Sequence, residues 1–408
     1  MADEDVRGLT GPLLSKDSGG GDVDAGSLRN FYLMAINFSI THGCVTSCLS
    51  YGTAELGDDL GGFGNGTLYI CYAFVALFLS SEILMVTGPK KGLILGLWGY
   101  CVYVLGFLLA LLTKSNDYVA YPVFITSSVI GGCAGGMLWT AQGEYFSREA
   151  AEHARLTGLG RGEANAKLAG IFATAYLGME VVTKCVSTGL FLTVPDHATT
   201  IVFIVYTVLS VISAGIILYI SDLGTVGSFK LTRAGISVTK LENVRNLLAS
   251  DDKRILYLMP MQVSFGLSTS LLIYYVFGTI IANSDDLGAD YVGFLAAIIV
   301  VVGTIMGVPS AWFTAWAGKE PLMIVGALCF TFIGFTLLFE DDDALGTWGG
   351  IMPYLLLQGL GRGVWENTNK ATVADLFGDD KNKVSTIRDQ NWTARTLLAL
   401  FFCFLMMT

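Results

Sequence analysis

Charge is scarce in this chain. Only 14% of its 408 residues are Asp, Glu, Lys or Arg, against about 25% in soluble globular proteins. With 53% hydrophobic residues and a mean hydropathy of +0.60, too little polar surface is left to cover a core in water, so lipid is the expected solvent. The net charge of −10 provides no basic patch, and nucleic acid is therefore not an expected partner.

The motifs of common enzymes and metal sites are also missing. The sequence has no Walker A lysine motif, no HExxH pair and no nucleophile elbow, so we predict neither an enzyme nor a resident cofactor or metal. Its eight cysteines lie in apolar stretches, which is typical of small buried hydrophobic residues. Residues 1–27 hold no signal or transit sequence; they are acidic and Gly-rich, which predicts a disordered tail.

Long apolar segments follow this tail. A helix that spans a bilayer needs ~20 mostly apolar residues, and eleven segments of the chain meet this requirement. The predicted spans are 29–51, 64–86, 91–113, 119–146, 166–192, 199–221, 254–282, 291–315, 321–339, 347–374 and 386–407.

The distribution of basic residues predicts the orientation of these spans. Cytoplasmic loops carry an excess of Lys and Arg, and nearly all the Lys and Arg outside the spans lie in alternate loops, beginning with the N-terminal tail. Lys114 is the exception, and the opposite set of loops is acidic, as at Glu55 and residues 340–343. The sequence therefore predicts a multi-pass membrane protein with a cytoplasmic N-terminus.

The spans form two related halves. The basic loop 222–253 is the predicted cytoplasmic linker between a first bundle, 28–221, and a second, 254–408. An offset of 226 residues carries span 1 onto span 7 and span 2 onto span 8. We predict an all-α polytopic fold of the major facilitator type, with two pseudo-repeated six-helix bundles, because its halves repeat in parallel. The second bundle lacks its last helix, and the chain is expected to be a fragment of a twelve-span protein.

Two glycine-rich stretches correspond under the same offset. In the first, residues 131–146, Gly131 and Gly135 lie four residues apart, as do Gly132 and Gly136, so a helix would present small residues to a close neighbour. The second covers 359–375, and the alignment pairs Trp139 with Trp365. The predicted packing residues are Gly131, Gly132, Gly135, Gly136, Trp139 and Trp365; the two tryptophans are interpreted as packing anchors or as ligand stackers.

Two groups of charged residues lie well inside predicted spans, one in 166–192 and one in 347–374. Each charged residue would cost about 2.5–3.5 kcal/mol at the centre of a lipid-facing helix, so they are expected to face the protein interior or a polar cavity. Glu180 and Lys184 lie four residues apart, and Arg362, Glu366 and Lys370 share one helix face, next to Asn367. These residues are candidates either for a substrate or ion pathway or for structural ion pairs. The excess positive charge of the second group favours an anionic ligand.

Further polar residues lie in or near the spans. His42, on a polar face of span 1, is interpreted as a neutral hydrogen-bonded residue or as a proton carrier. Gln142 and Glu144, near the end of span 4, are additional pathway candidates, although Glu144 is also consistent with a position at the membrane interface. Asn65 begins an N-x-T sequon on the predicted outer side, a weak glycosylation candidate.

Three sequence motifs resemble the Unc-93-like branch of the major facilitator superfamily. They are WTAQGEY at 139–145, GRGVW at 361–365 and Gly88-Pro89-Lys90. The resemblance implies a twelve-helix fold. It also implies two kinds of role, since some members are regarded as regulatory subunits of potassium channels or as trafficking escorts for membrane receptors.

Two functional hypotheses result. The first is a secondary transporter of a small molecule or ion that works by alternating access, with Arg362 and Glu366 binding the substrate or coupling to an ion. In this hypothesis Glu180, Lys184 and His42 face them. The second is a non-transporting protein that regulates a potassium channel or escorts a receptor, and so has a membrane-protein partner. Both place the chain in a lipid bilayer, either the plasma membrane or an endolysosomal or vacuolar membrane.

Overall fold

A computed structural model describes residues 20–194, 197–222 and 254–377. The secondary structure in these ranges is helical, without β-strands, as lipid requires, since a helix satisfies its own backbone hydrogen bonds. The predicted spans 1–10 coincide with helices. The predicted eleventh span, 386–407, and residues 223–253 of the predicted linker lie outside the described residues.

The first half contains seven helices. They are α1 (Gly20–Leu56), α2 (Asp58–Phe78), α3 (Ser80–Thr87), α4 (Pro89–Leu112), α5 (Asp117–Thr157), α6 (Arg161–Thr193) and α7 (Ala198–Ile216). Helix α1 begins at Gly20, inside the predicted tail 1–27.

The second half repeats this order within the described residues. Its helices are α8 (Arg254–Leu271, continuing as a π-helix, Leu272–Ile281), α9 (Val292–Ile305), α10 (Gly307–Ala317), α11 (Lys319–Phe339), α12 (Asp342–Leu345) and α13 (Trp348–Phe377).

Seven helical segments in the described residues are long and apolar enough to cross a membrane. Helices α1 and α13 are long enough but carry more polar residues, among them those discussed below, and α9–α10 is interrupted at Met306. Large apolar side chains cover the outside of the bundle, for example Phe74 (55% exposed) and Trp316 (75%). Exposure of this kind is expected where lipid rather than water is the solvent.

The structure shows the internal repeat in its turns. Gly57 and Gly288 follow the first helix of each half, and Gly88 and Gly318 precede α4 and α11; all four have positive φ, from 73° to 88°, a region that glycine enters without a Cβ clash. The second span of each half is interrupted at an equivalent place. Helix α2 ends before Leu79 and α9 ends before Met306.

The two glycine-rich stretches lie in α5 and α13, at close helix crossings. A Cβ on Gly136 would lie 2.6 Å from the carbonyl oxygen of Tyr72 in α2, and one on Gly363 would lie 2.8 Å from that of Gly303 in α9. A Cβ on Gly135 would lie 2.8 Å from the ring of Tyr72, and one on Gly361 would lie 2.8 Å from the ring of Phe330. Both helices therefore pack against their neighbours at distances that exclude a side chain.

Candidate functional site

An ion pair connects the two halves. The Arg362 guanidinium of α13 donates to both carboxylate oxygens of Glu180 in α6, from Nη2 to Oε2 at 3.1 Å and from Nη1 to Oε1 at 3.4 Å. This forked geometry fixes orientation as well as distance. The transporter hypothesis expected Glu180 to face Arg362, and the two side chains, 182 positions apart in the sequence, form this contact.

Two more charges extend the pair into a four-residue ion chain, Lys184–Glu180–Arg362–Glu366. The Lys184 ammonium lies 3.1 Å from Oε1 of Glu180 and donates to Thr46 Oγ1 of α1 at 3.2 Å. At the other end, Arg362 Nε donates to Glu366 Oε1 at 2.9 Å. Side-chain exposure rises from 4–5% at Lys184 and Glu180 to 18% at Arg362 and 37% at Glu366, so one end of the chain is sealed and the other is accessible.

The ion chain is electrically neutral. Its two cations and two anions alternate, so each buried charge has an oppositely charged neighbour. Removing one member of a buried pair leaves an uncompensated charge and typically costs about 3–5 kcal/mol. The excess positive charge in the sequence came from Lys370, which is not a member of the ion chain. The side chains of Asn367 and Lys370 lie outside the described residues.

Aromatic rings lie beside the ion chain in the first half. Tyr176 of α6 is one helical turn before Glu180, and its hydroxyl lies 3.0 Å from His42 Nε2 in α1. The ring of His42 also contacts Trp139 of α5, with centroids 5.2 Å apart.

Phe38 and Phe172 complete this group, whose five members are Phe38, His42, Trp139, Phe172 and Tyr176. We call these five residues the aromatic wall. Phe38 and His42 are buried, whereas Trp139, Phe172 and Tyr176 are partly exposed. Sequence reasoning missed Phe38, Phe172 and Tyr176, although Phe172, Tyr176, Glu180 and Lys184 recur every four residues and so share one helix face.

The two halves also meet at the end that carries Glu55 and Asp290, the predicted outer end. The Tyr51 hydroxyl accepts a hydrogen bond from Gly293 N of α9 at 2.9 Å and donates to Ser187 Oγ at 3.1 Å. Thr53 donates to the carbonyl of Ile273, in the π-helix, at 3.1 Å. These bonds, which we call the outer contact, join α1 and α6 to the second half, and none of their residues was predicted.

The remaining predicted residues lie elsewhere. Glu144 pairs with Arg148 of its own helix at 2.8 Å, and its side chain is 43% exposed. Gln142 is buried in α5, and Trp365 is buried in α13 against Phe265. Asn65 is only 3% exposed and donates to the carbonyl of Leu49 at 3.2 Å. A buried, bonded amide cannot accept a glycan, so the structure contradicts the glycosylation candidate.

A polar cluster that the sequence did not indicate closes the other end of the first half. Asn30 of α1 donates to the Tyr145 hydroxyl at 2.7 Å and to Glu149 Oε1, both in α5, and accepts from Ser221 N at 2.7 Å. In the second half, Gln358 donates to Ser268 Oγ at 3.3 Å, and both residues are buried. Gln358, Arg362 and Glu366 lie at i, i+4 and i+8 of α13, so a polar stripe continues beyond the ion chain.

Solved structures with a similar fold are transporters. The inward-open xylose transporter XylE from E. coli has a TM-score of 0.62 at 14% identity, covering 95% of this chain and 89% of that one. Its partially occluded inward-open form has a TM-score of 0.60 at 13% identity, covering 95% and 92%. The nucleoside transporter NupG has a TM-score of 0.61 at 12% identity, covering 92% and 88%. Identities this low show the fold alone, which is that of the major facilitator superfamily.

No curated protein matches the chain. A family model, described as "Ion channel regulatory protein UNC-93", matches residues 55–340. That range is more than half of the chain and contains all of α2 to α11. The chain is therefore an integral, multi-pass membrane protein that belongs to the UNC-93 family.

Proposed function

We propose that this protein is a secondary transporter of a small solute that works by alternating access. The observation that carries the proposal is the ion pair between Glu180 and Arg362, which joins the two halves in the interior of the bundle. Alternating access requires the halves to move against each other around a central site. A charged contact between them, accessible at Glu366, can be exchanged for contacts to a solute.

The outer contact supports one end state of such a cycle. Tyr51 and Thr53 hold the halves together through bonds to backbone atoms of α9 and of the π-helix. π-Helical segments are uncommon and are frequent at functional sites. We infer that the structure is closed at its predicted outer end and that these few hydrogen bonds must break for that end to open.

Spin-label distances test this motion without knowledge of the substrate. Labels at Tyr118→Cys and Asp343→Cys, both exposed positions at the predicted outer end, report the separation of the halves, after the accessible native cysteines are replaced. We expect Tyr51→Phe to add a population at longer distance, because it removes the hydroxyl that bridges Gly293 N and Ser187. Tyr219→Phe, at an 83% exposed ring, is the control and should leave the distribution unchanged.

Flux is measured on the full-length protein in proteoliposomes, with a panel of labelled solutes that includes a pentose, a nucleoside and amino acids. Uptake should fall at least tenfold in Arg362→Ala and in Glu366→Gln, and Glu82→Gln, outside the ion chain, should retain it. A single invariant distance distribution in the spin-label experiment, together with no flux of any solute, would contradict transport.

The family description favours a second candidate, a regulatory subunit of an ion channel. In that case the ion chain and the outer contact would be permanent structural connections between the halves. Co-purification of a channel subunit at fixed stoichiometry, a change in its current on co-expression, and the invariant spin-label distances described above would together support regulation over transport.

A further inference from the structure

The position of the aromatic wall relative to the ion chain determines what a solute would meet. Along α6, Phe172, Tyr176, Glu180 and Lys184 follow one another at intervals of four residues, and along α1 Phe38, His42 and Thr46 do the same. Thr46 contacts Lys184 and His42 contacts Tyr176, so the two stripes run side by side. The rings therefore lie next to the ion chain, on the side away from the outer contact.

Three rings of the wall, those of Trp139, Phe172 and Tyr176, are partly exposed. Phe172 and Tyr176 stack with centroids 5.9 Å apart and an angle of 12° between their planes. Trp139 meets Tyr176 edge to face at 5.7 Å. These three partly exposed side chains offer both faces and edges of rings, the surfaces that prefer offset-stacked or edge-to-face aromatic partners.

The wall also contains an unmet hydrogen bond. His42 is 8% exposed, its Nε2 contacts Tyr176, and its Nδ1 has no hydrogen-bond partner in the described residues. Buried polar atoms are nearly always paired. A wall built only to pack apolar side chains has no need of an imidazole at its centre.

The ion chain restricts the charge of the solute. Its four members sum to zero, so a solute with a net charge would leave one charge uncompensated in a low-dielectric site. A zwitterion adds no net charge to the site. Arg362 is partly exposed, and its bonds to Glu180 and Glu366 use three of its five N–H groups, so two remain to donate to a carboxylate. Glu366, the most exposed member of the ion chain, suits an ammonium.

We propose that the aromatic wall and the ion chain together bind an aromatic zwitterion, a solute that carries a flat unsaturated ring, an ammonium and a carboxylate. The ring lies against Trp139, Phe172 and Tyr176, the carboxylate meets Arg362 and the ammonium meets Glu366. This inference rests on the proposed function for its biological role, but binding itself can be measured without transport.

The test uses the purified full-length protein and four probes that separate ring from charge. L-Tryptophan has the ring and both charges, tryptamine lacks the carboxylate, indole-3-propionate lacks the ammonium, and L-leucine lacks the ring. A ligand that binds only the folded state stabilises it by RT ln(1 + [L]/Kd), so at equal concentration L-tryptophan, which should bind most tightly, should raise the unfolding temperature most. An equal shift with tryptamine, indole-3-propionate or L-leucine, or no shift with any probe, overturns the proposal.

Variants locate the binding. Phe172→Leu removes one ring of the wall and keeps its apolar character, and should weaken L-tryptophan binding about twofold to tenfold, the usual worth of an aromatic contact. Phe74→Leu, at a 55% exposed ring of α2, is the matched control and should bind normally. Unchanged binding in Phe172→Leu also overturns the proposal.

Flux separates this inference from the proposed function. If L-tryptophan binds in a manner that depends on Phe172 and no solute shows flux, the proposed binding site is supported and the proposed transport is contradicted. If solutes that lack a ring show flux and L-tryptophan does not bind, transport is supported and the aromatic binding site is contradicted.

Discussion

Helices α5 and α13 are equivalent in the repeat, and their polar residues act in different places. Both pack their glycines closely against neighbouring helices, α2 in the first half and α9 in the second. The polar residues of α5 bond within their own half, since Tyr145 and Glu149 meet Asn30 of α1. Arg362 of α13 instead reaches Glu180 in the other half.

The alignment of the two helices makes this difference specific. At the offset of 226 residues, Arg362 corresponds to Gly136 and Glu366 to Thr140. The duplicated part is thus the packing surface, and Arg362 and Glu366 have no charged counterpart in α5. A shared scaffold with one-sided charge indicates that function depends on the difference between the halves rather than on their similarity.

The largest expected effect follows from the shared packing. Gly136→Leu and Gly363→Leu should both prevent folding, because a Cβ at either position lies 2.8 Å or less from a neighbouring backbone atom that cannot move aside. We expect a cost above the usual 1–3 kcal/mol or so of overpacking. Size-exclusion chromatography of fluorescent fusions measures the monodisperse fraction, which should be lost in both.

Gly178→Leu is the control for this pair. Gly178 lies in α6, and a Cβ there would meet nothing within 4 Å, so this variant should stay monodisperse. If Gly136→Leu fails and Gly363→Leu folds normally, the two helices do not share a packing role, and the comparison breaks.

The next effect concerns the ion pair that Arg362 of α13 forms with Glu180 of α6. Glu180→Ala removes the acidic partner of both Lys184 and Arg362 and should destabilise by about 3–5 kcal/mol. Arg362→Ala should cost less, because Lys184 still neutralises Glu180. In a double-mutant cycle the two changes should couple, with unfolding in detergent as the measurement. If the two changes in unfolding free energy were additive, Glu180 and Arg362 would have no coupling energy, and the pair between the halves would not contribute to stability.

Much of the fold could be predicted from the sequence, because lipid imposes a strong pattern. Apolar runs long enough to cross a bilayer mark the helices, and the repeat is visible as the 226-residue offset. The interruptions at Leu79 and Met306 were missed, although Ser80 and Ser81 follow the first and Gly307 and Pro309 follow the second. The ten-residue π-helix in α8 has no signal in the pattern of apolar residues.

The candidate site was predicted only in part. A charge within an apolar run is conspicuous, so Glu180, Lys184, Arg362 and Glu366 were found. Glu180 and Lys184 were expected to face Arg362 and Glu366, but individual contacts, such as that of Lys184 with Thr46, were not predicted, because a single sequence does not give the distances between helices. Tyr51 and Tyr176 were missed for a related reason: a tyrosine in an apolar helix has the same pattern whether it packs in a core or bridges two helices.

A smaller effect is expected where α5 is bonded within its own half. Asn30→Ala leaves Ser221 N and Glu149 without their bonds to the Asn30 side chain, and an unsatisfied buried group costs about 1–3 kcal/mol. The unfolding temperature should fall, while flux per folded molecule stays normal. Asn283→Ala is the control, since its exposed amide bonds only to Thr279 of its own helix. A loss of flux without loss of stability would place Asn30 in the transport pathway instead.

The smallest effect separates the carboxylates of the two helices. Glu144 of α5 pairs with Arg148 four residues away and is 43% exposed, and exposed pairs of this kind contribute about 0.3–0.5 kcal/mol. Glu144→Gln should therefore leave flux and the unfolding temperature almost unchanged, whereas Glu366→Gln, one charge of the ion chain, reduces flux. If Glu144→Gln reduced flux as strongly as Glu366→Gln, charge would matter on both copies of the repeat, and function could not be assigned to α13 alone.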